Sequence, residues 1–300
     1  MGAVKGDTRW TRITVRAPAE AEAGIADVLL SFSHGIEEKA RGHEMQLIAY
    51  LPAHADTAQA LARIEGRLAA LREAGLQVEP LKIVTHRVRS RRWEEAWKAG
   101  LGIVHIPPRV VIKPTWKPYD PAPGEVVIEL DPGMAFGTGQ HATTKGCLEA
   151  LGRHLRGGEA VFDIGAGSGI LSIAAAKLGA GRVVAIEVDE SAAQIAAQNV
   201  ALNDVANVVA IICGDGLGCI RGRADVIVAN LTAPQIIALA PEVVARLRPG
   251  GLFIASGIAA AQGPMVREAA KGALTLREAQ EQDDWVTIVW EAGKDAPPAD

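Results

Sequence analysis

The sequence predicts an α/β protein in which a mostly parallel sheet, covered by helices on both faces, follows a small α+β domain. Short apolar runs alternate with helix-like segments from Val126 to Trp290, which is the pattern of buried parallel strands joined by crossover helices. Within that stretch, Val161-Phe162-Asp163-Ile164-Gly165-Ala166-Gly167-Ser168-Gly169 reads as a strand ending in a carboxylate and a glycine turn. The helix from Ile170 to Leu178 follows, and Glu187 closes the next apolar run. The third observation lies in residues 12–89, where β-like and helical runs come in the order βαββαβ, a ferredoxin-like arrangement.

In the small domain, Ile13–Arg16 is a strand, Ala19–Ser31 a helix and Gly35–Leu51 holds two strands, followed by a helix over Thr57–Ala74 and a strand over Leu81–Arg89. The second helix is amphipathic, with Leu61, Ile64, Leu68 and Leu71 at helical spacing. His34, His43 and His54 have no ligand spacing, so residues 1–89 carry no chemistry and are a candidate for substrate recognition. Residues 90–102 are read as a linker helix. Arg87, Arg89, Arg91 and Arg92 could touch RNA, yet with Glu94 and Glu95 beside them they read better as a solvated face. Trp93 and Trp97 share one helical face, suited to packing on a neighbouring domain. Residues 103–292 form the catalytic domain. It opens with extended segments at Ile103–Ile106 and Arg109–Lys113, flanking Pro107-Pro108. Strands follow at Val126–Leu130, Ala160–Ile164, Arg182–Ile186, Val208–Ile212, Ala224–Ala229, Leu252–Ser256 and Trp285–Trp290. Residues 293–300, rich in proline and acid, read as a disordered tail.

The 300 residues carry a formal net charge of −4 and are 49% apolar, as globular proteins are, with no global attraction to nucleic acid or an anionic membrane. Cys147, Cys213 and Cys219 fit neither a disulfide framework nor the paired spacing of a zinc site. No metal is expected, and reduced cysteines suit the cytoplasm. Met1 to Gly6 lacks the apolar core of a signal peptide and the Ser or Thr of a myristoylation site. The uncharged stretch Val226–Pro241 is too short to span a bilayer. The expectation is a cytoplasmic monomer.

Glycine at the strand-to-helix turn lets backbone approach a ligand closely. A dinucleotide site would need a further glycine where Ile170 stands. The Gly-x-Gly-x-Gly form after Asp163 instead resembles motif I of the class I methyltransferases, whose cofactor is S-adenosylmethionine. Glu187, about twenty residues on, can accept both ribose hydroxyls, which either cofactor class would offer. Asp215, after another strand, stands where this fold commonly contacts adenine, although Gly-Asp is also an ordinary turn. Asp131, Asp163, Glu187 and Asn230 end four strands and are expected to converge on one crevice. Asn230 is the catalytic candidate, because its amide oxygen can accept a hydrogen bond from an incoming N–H. Leu231, Thr232 and Ala233 follow it, offering nothing to stack on a flat base, so an aliphatic amine is the better acceptor. Only a neutral amine can attack. Reaching that form at pH 7 costs about 4–5 kcal/mol for a lysine and about 1 kcal/mol for a chain-terminal amine. A carboxylate in place of Asn230 would make it harder by raising the amine pKa.

The most distinctive run is Leu130-Asp131-Pro132-Gly133-Met134-Ala135-Phe136-Gly137-Thr138-Gly139-Gln140-His141-Ala142-Thr143-Thr144. No glycine directly precedes Lys145, so it is not a P-loop. Three glycines around Phe136 suggest a mobile loop with one apolar contact for the cofactor. Thr143 or Thr144 either caps a helix over Lys145–Leu155 or touches the ligand. This run, with Phe162 to Leu171, Lys177-Leu178-Gly179-Ala180 and Ala229-Asn230-Leu231, resembles the ribosomal protein L11 methyltransferase (PrmA) family. Trp93–Trp97 and Ile112 to Trp116 are similar to that family's linker and domain start. The resemblance spans about residues 90–290.

That resemblance implies a class I methyltransferase (Rossmann-like) fold, with an N-terminal ferredoxin-like domain that grips the substrate. It also implies S-adenosylmethionine as cofactor, ribosomal protein L11 as the protein partner, and trimethylation of its N-terminal amine and lysines. Carried over by position, Thr144, Gly165, Glu187 and Asn230 contact the cofactor, with Asn230 also near the substrate amine; Asp163, Gly167, Asp215 and Phe136 complete the expected cofactor set. Glu187 stands for the family's usual Asp, Ala142 for a proline and Leu231-Thr232 for Ile-Leu, and none of these removes a needed functional group. Two other readings remain: methylation of another protein lysine or of RNA, or a cofactor-binding assembly factor without turnover. Ile170 disfavours an oxidoreductase.

Overall fold

The computed structural model describes residues 9–18, 21–30, 36–41, 44–52, 57–73, 80–89, 102–130 and 139–293. Residues 90–101 of the expected linker helix, residues 131–138 with Asp131 and Phe136, and residues 294–300 of the expected tail therefore fall outside the described residues. The chain divides between Leu101 and Gly102 into two compact units.

The N-terminal unit runs β1 (Arg9–Pro18), α1 (Glu22–Leu30), β2 (Ile36–Arg41), β3 (Glu44–Pro52), α2 (Thr57–Glu73) and β4 (Lys82–Arg89). Its sheet has the order β2-β3-β1-β4 and is antiparallel throughout, as the βαββαβ reading requires. Alternation in the strands places Ile13, Val15 and Ala17 of β1 and Leu47, Ala49 and Leu51 of β3 on one face. They pack there with Ile25 and Leu29 of α1 and Ile64 and Leu68 of α2.

The C-terminal unit begins with a three-stranded sheet. β5 (Val104–Ile106) and β6 (Val110–Pro114) form an antiparallel hairpin, and β7 (Val126–Leu130) pairs parallel with β6. The expectation that Val126–Leu130 belongs to the large sheet is thus corrected, because among the described residues its only strand partner is β6.

The seven-stranded sheet has the order β10-β9-β8-β11-β12-β14-β13. Its strands are β8 (Ala160–Ile164), β9 (Arg182–Glu187), β10 (Val209–Cys213), β11 (Ala224–Asn230), β12 (Leu247–Ala259), β13 (Leu274–Gln282) and β14 (Trp285–Ala292). The pairings from β10 to β12 are parallel, and β14 runs antiparallel to both its neighbours. Two layers of helix cover it. On one face α3 (Ala142–His154), α4 (Ile170–Lys177) and α5 (Glu190–Leu202) pack through Leu148, Ile173 and Val200 onto Val161, Val183 and Val228. On the other, α6 (Ala233–Arg246) and α7 (Gly263–Ala270) pack through Ile236, Val243 and Val266 onto Ile227, Ala229 and Phe253. Burial on both faces explains why these strands read as unbroken apolar runs. The chain steps outward from β8 to β9 and β10, then returns to β11 on the other side of β8. A ligand crevice is expected at that reversal, beyond the strands' carboxyl ends.

Candidate functional site

The reversal point is built from the ends of β8, β9 and β11. After Ile164 the chain turns through Gly165, Gly167 and Gly169, all at positive φ (+72°, +55° and +80°), and α4 starts at Ile170. At Gly165 a side chain would be strained by that φ, and its Cβ would stand 2.7 Å from Leu231 Cδ2. The turn is anchored on β9, because the N–H groups of Gly165 and Ala166 both donate to the Ile186 carbonyl, at 2.9 and 3.1 Å.

Glu187, the last residue of β9, is buried. Its Oε2 accepts the Gly167 N–H at 2.8 Å and its Oε1 the Asp189 N–H at 3.0 Å. Each carboxylate oxygen has a further lone pair, so the group is fixed in place and can still accept hydroxyl donors. Asp163 is fully buried beneath the turn, where Oδ2 accepts the Ser172 hydroxyl at 2.6 Å. Its Oδ1 has no hydrogen-bond partner among the described residues. Burial pushes its pKa up to about 7; the bonds to Ser172 work against that rise and the charge of Glu187 adds to it.

Asn230 ends β11, in register with Ser256 of β12. Its Nδ2 donates to the hydroxyl of Thr144 at 3.3 Å, which directs the amide oxygen elsewhere. Thr144 is buried in the first turn of α3. Neither threonine caps that helix. It begins at Ala142, three residues earlier than expected, and His141 is the N-cap, with Nδ1 accepting the Thr143 N–H at 3.4 Å and lying 2.8 Å from the Thr143 hydroxyl. An imidazole nitrogen here does the work usually done by a Ser, Thr, Asp or Asn oxygen.

Beside the turn lies a cleft of about 260 Å³, lined by Gly165, Val188, Asp215, Leu231, Gln235 and Glu242 among others. Asp215 lies exposed at its rim. Three pairs of the expected residues therefore come together: Gly165 with Asp215 on the cleft, Gly167 with Glu187, and Thr144 with Asn230. The sequence reading missed Val188, an apolar side chain 68% exposed on the cleft. Its signal was its place directly after Glu187, since a strand end is where a side chain can leave the core. It also missed Gln235 and Glu242, which in sequence look like ordinary polar positions of α6.

The arrangement fits S-adenosylmethionine. A fixed carboxylate suits a ribose, an apolar cleft with a polar rim suits an adenine, and a buried carboxyl oxygen without a partner suits a cationic amino group. Comparison with known proteins agrees. The family described as "Ribosomal protein L11 methyltransferase (PrmA)" matches residues 9–292. A protein named ribosomal protein L11 methyltransferase from Caldanaerobacter subterraneus subsp. tengcongensis is 38% identical over 94% of this chain and 98% of its own length. One of the same name from Pelotomaculum thermopropionicum is 40% identical over 93% and 97%. The crystal structure of a ribosomal protein L11 methylase from Lactobacillus delbrueckii subsp. bulgaricus superposes with a TM-score of 0.60 at 32% identity, covering 64% of this chain and 98% of that one. With the family matched over residues 9–292 and relatives 38% and 40% identical over more than nine tenths of its length, this chain belongs to the ribosomal protein L11 methyltransferase (PrmA) family.

Proposed function

We propose that this protein methylates ribosomal protein L11 with S-adenosylmethionine, transferring methyl groups to the N-terminal α-amine and to lysine ε-amines up to the trimethyl state. The observation that carries the reading is the Asn230 amide at the switch point of the sheet, oriented through Thr144. The bound cofactor supplies an electrophilic methyl group on a sulfonium. Glu187 and the Gly165–Gly169 turn hold its nucleoside part, Val188 and Leu231 enclose the base with Asp215 at the rim, and Asp163 faces its amino group. Phe136 is assigned an apolar contact with it.

In the first two transfers the Asn230 oxygen accepts an N–H from the neutral amine and so aims the lone pair; the neutral dimethylamine of the third transfer has no N–H left and is held by the site's shape alone. A neutral amide orients the amine without stabilising its protonated, unreactive form, as a carboxylate would. The N-terminal unit is assigned to hold the protein substrate. No helix among the described residues is long and apolar enough to cross a membrane, and the reading places the enzyme in the cytoplasm. The test is incubation of the purified protein with methyl-labelled S-adenosylmethionine and L11, followed by mass spectrometry. Label at L11 amines, lost in Asn230→Ala while cofactor binding persists, is the expected result. Label on RNA or on another protein, or cofactor binding without any transfer, would overturn it.

A further inference from the structure

Helix α5 and its C-cap carry two asparagines, Asn199 and Asn203, that have no part in the chemistry above. Asn199 and Asn203 are four residues apart, on one helical face, and the Asn203 Nδ2 donates to the Asn199 carbonyl at 2.9 Å. Both are almost wholly buried. A buried amide is costly unless its donors and acceptor are matched, so the places where these amides reach are informative. The Asn199 Nδ2 donates at 2.9 Å to the carbonyl of Ser168, inside the glycine turn. Ala196, one helical turn earlier, lies against the same turn, since a Cβ on Gly169 would stand 3.3 Å from the Ala196 Cα.

Asn203 reaches β7. Along a strand the backbone groups of successive residues face alternate sides. The Val126 N–H and the Leu130 carbonyl bond at the two ends of β6, to the Arg109 carbonyl at 2.7 Å and the Thr115 N–H at 3.1 Å. The groups of Glu129 therefore face the other edge of β7, where no strand pairs among the described residues. Asn203 closes both of them, its Oδ1 accepting the Glu129 N–H at 2.9 Å and its Nδ2 donating to the Glu129 carbonyl at 2.6 Å. One side-chain amide takes the place of a neighbouring strand. The same helix begins at Glu190, three residues after Glu187, with Asp189 as its N-cap.

We infer that Asn199 and Asn203 are positioning residues for cofactor binding, a buried amide pair that fixes the glycine turn against the end of β7. The inference rests on the reading of that turn as the cofactor site. Calorimetric titration with S-adenosylhomocysteine tests it, alongside steady-state kinetics and thermal unfolding of each variant. Asn199→Ala and Asn203→Ala are each expected to raise Kd about tenfold, with KM for S-adenosylmethionine rising in step and kcat at saturating cofactor within about twofold. The double variant is expected to lose less than the product of the two, as members of one brace do. Asp225→Ala, which removes a comparable bond to backbone at the far end of the sheet, should leave Kd unchanged. If Asn203→Ala does not fold, Asn199→Ala, which leaves both Asn203–Glu129 bonds in place, carries the test alone with the same rise of about tenfold in Kd. Wild type that binds, with variants whose melting temperature falls while Kd stays put, would overturn this inference alone. Failure of the wild type to bind would overturn the cofactor reading and this inference with it.

Discussion

The two ends of the seven-stranded sheet are built on opposite terms. At the amino end, the Asp225 Oδ2 accepts the Ala160 N–H at 2.8 Å and the Arg248 guanidinium at 2.7 Å. Nearby, Glu159 accepts the N–H groups of Arg156 and Gly157 at 2.6 and 2.8 Å. These carboxylates are partnered on both sides. At the carboxyl end the chain keeps three glycines of one turn at positive φ and buries Asp163 with one oxygen unpartnered. Both ends turn through glycines at positive φ, Gly157 and Gly158 among them at the first, so the difference lies in the polar groups: the first end uses its carboxylates to close strands, and the second leaves bonding capacity unmet. Unmet capacity beside a cleft marks a binding site, because a ligand can meet what the fold has left open.

The largest expected effect comes from that unmet capacity. Asp163, pushed up by burial to about 7 from an ordinary carboxyl value near 4, favours folding fully only below about pH 4. The folded state holds its proton while the unfolded state releases it, so stability falls as pH rises from about 4 to about 7, by about 4 kcal/mol in all. In the cofactor-free protein, Asp163→Asn should match wild type near pH 4 and melt at a higher temperature at pH 8, as thermal unfolding across pH would show. An equal alkaline gain from Asp225→Asn would break the contrast between the two ends. Next in size is Asn230→Ala, expected to slow methyl transfer about 100-fold through lost orientation while moving the cofactor Kd by no more than about threefold. Single-turnover rates and calorimetry separate the two, and a loss confined to binding would make Asn230 a cofactor residue alone.

How much of this was legible in sequence depended on what each residue touches. Strands β8, β9 and β11 were readable because both faces are buried, so their apolar runs are unbroken. β13 was not. Leu274–Gln282 is an edge strand with alternate exposed positions and charges at Arg277, Glu278 and Glu281, and its polarity hides it. The strand at β7 was visible but its partner was not, since pairing with β6 is a tertiary fact. Gly165, Glu187 and Asn230 stood out because strand ends and turn spacing confine them. Asp163 stood out as a carboxylate, but its complete burial did not follow from its place in the chain. Asn199 and Asn203 gave no signal, for an asparagine in a helix looks the same whether it meets water or a backbone carbonyl.

The smaller effects sharpen the comparison with paired substitutions. Gly165→Ala and Gly158→Ala both place a side chain at positive φ, +72° and +90°, at a shared backbone cost of about 1 kcal/mol. They differ in surroundings. Gly158, before β8, faces open space, whereas a Cβ at Gly165 would meet Leu231 on the cleft wall. Both should lower the melting temperature by a few degrees, but only Gly165→Ala should weaken S-adenosylhomocysteine, by about tenfold, as Leu231 is pushed toward the cleft. Smallest of all is Arg248→Ala, which removes a half-exposed ion pair with Asp225 and should cost no more than about 1 kcal/mol, less at high salt. Because the Ala160 N–H still bonds Asp225, strand closure survives that change. A measurable effect on cofactor affinity from Arg248→Ala would mean that the two ends are coupled through β8 and β11, and the division between them would have to be redrawn.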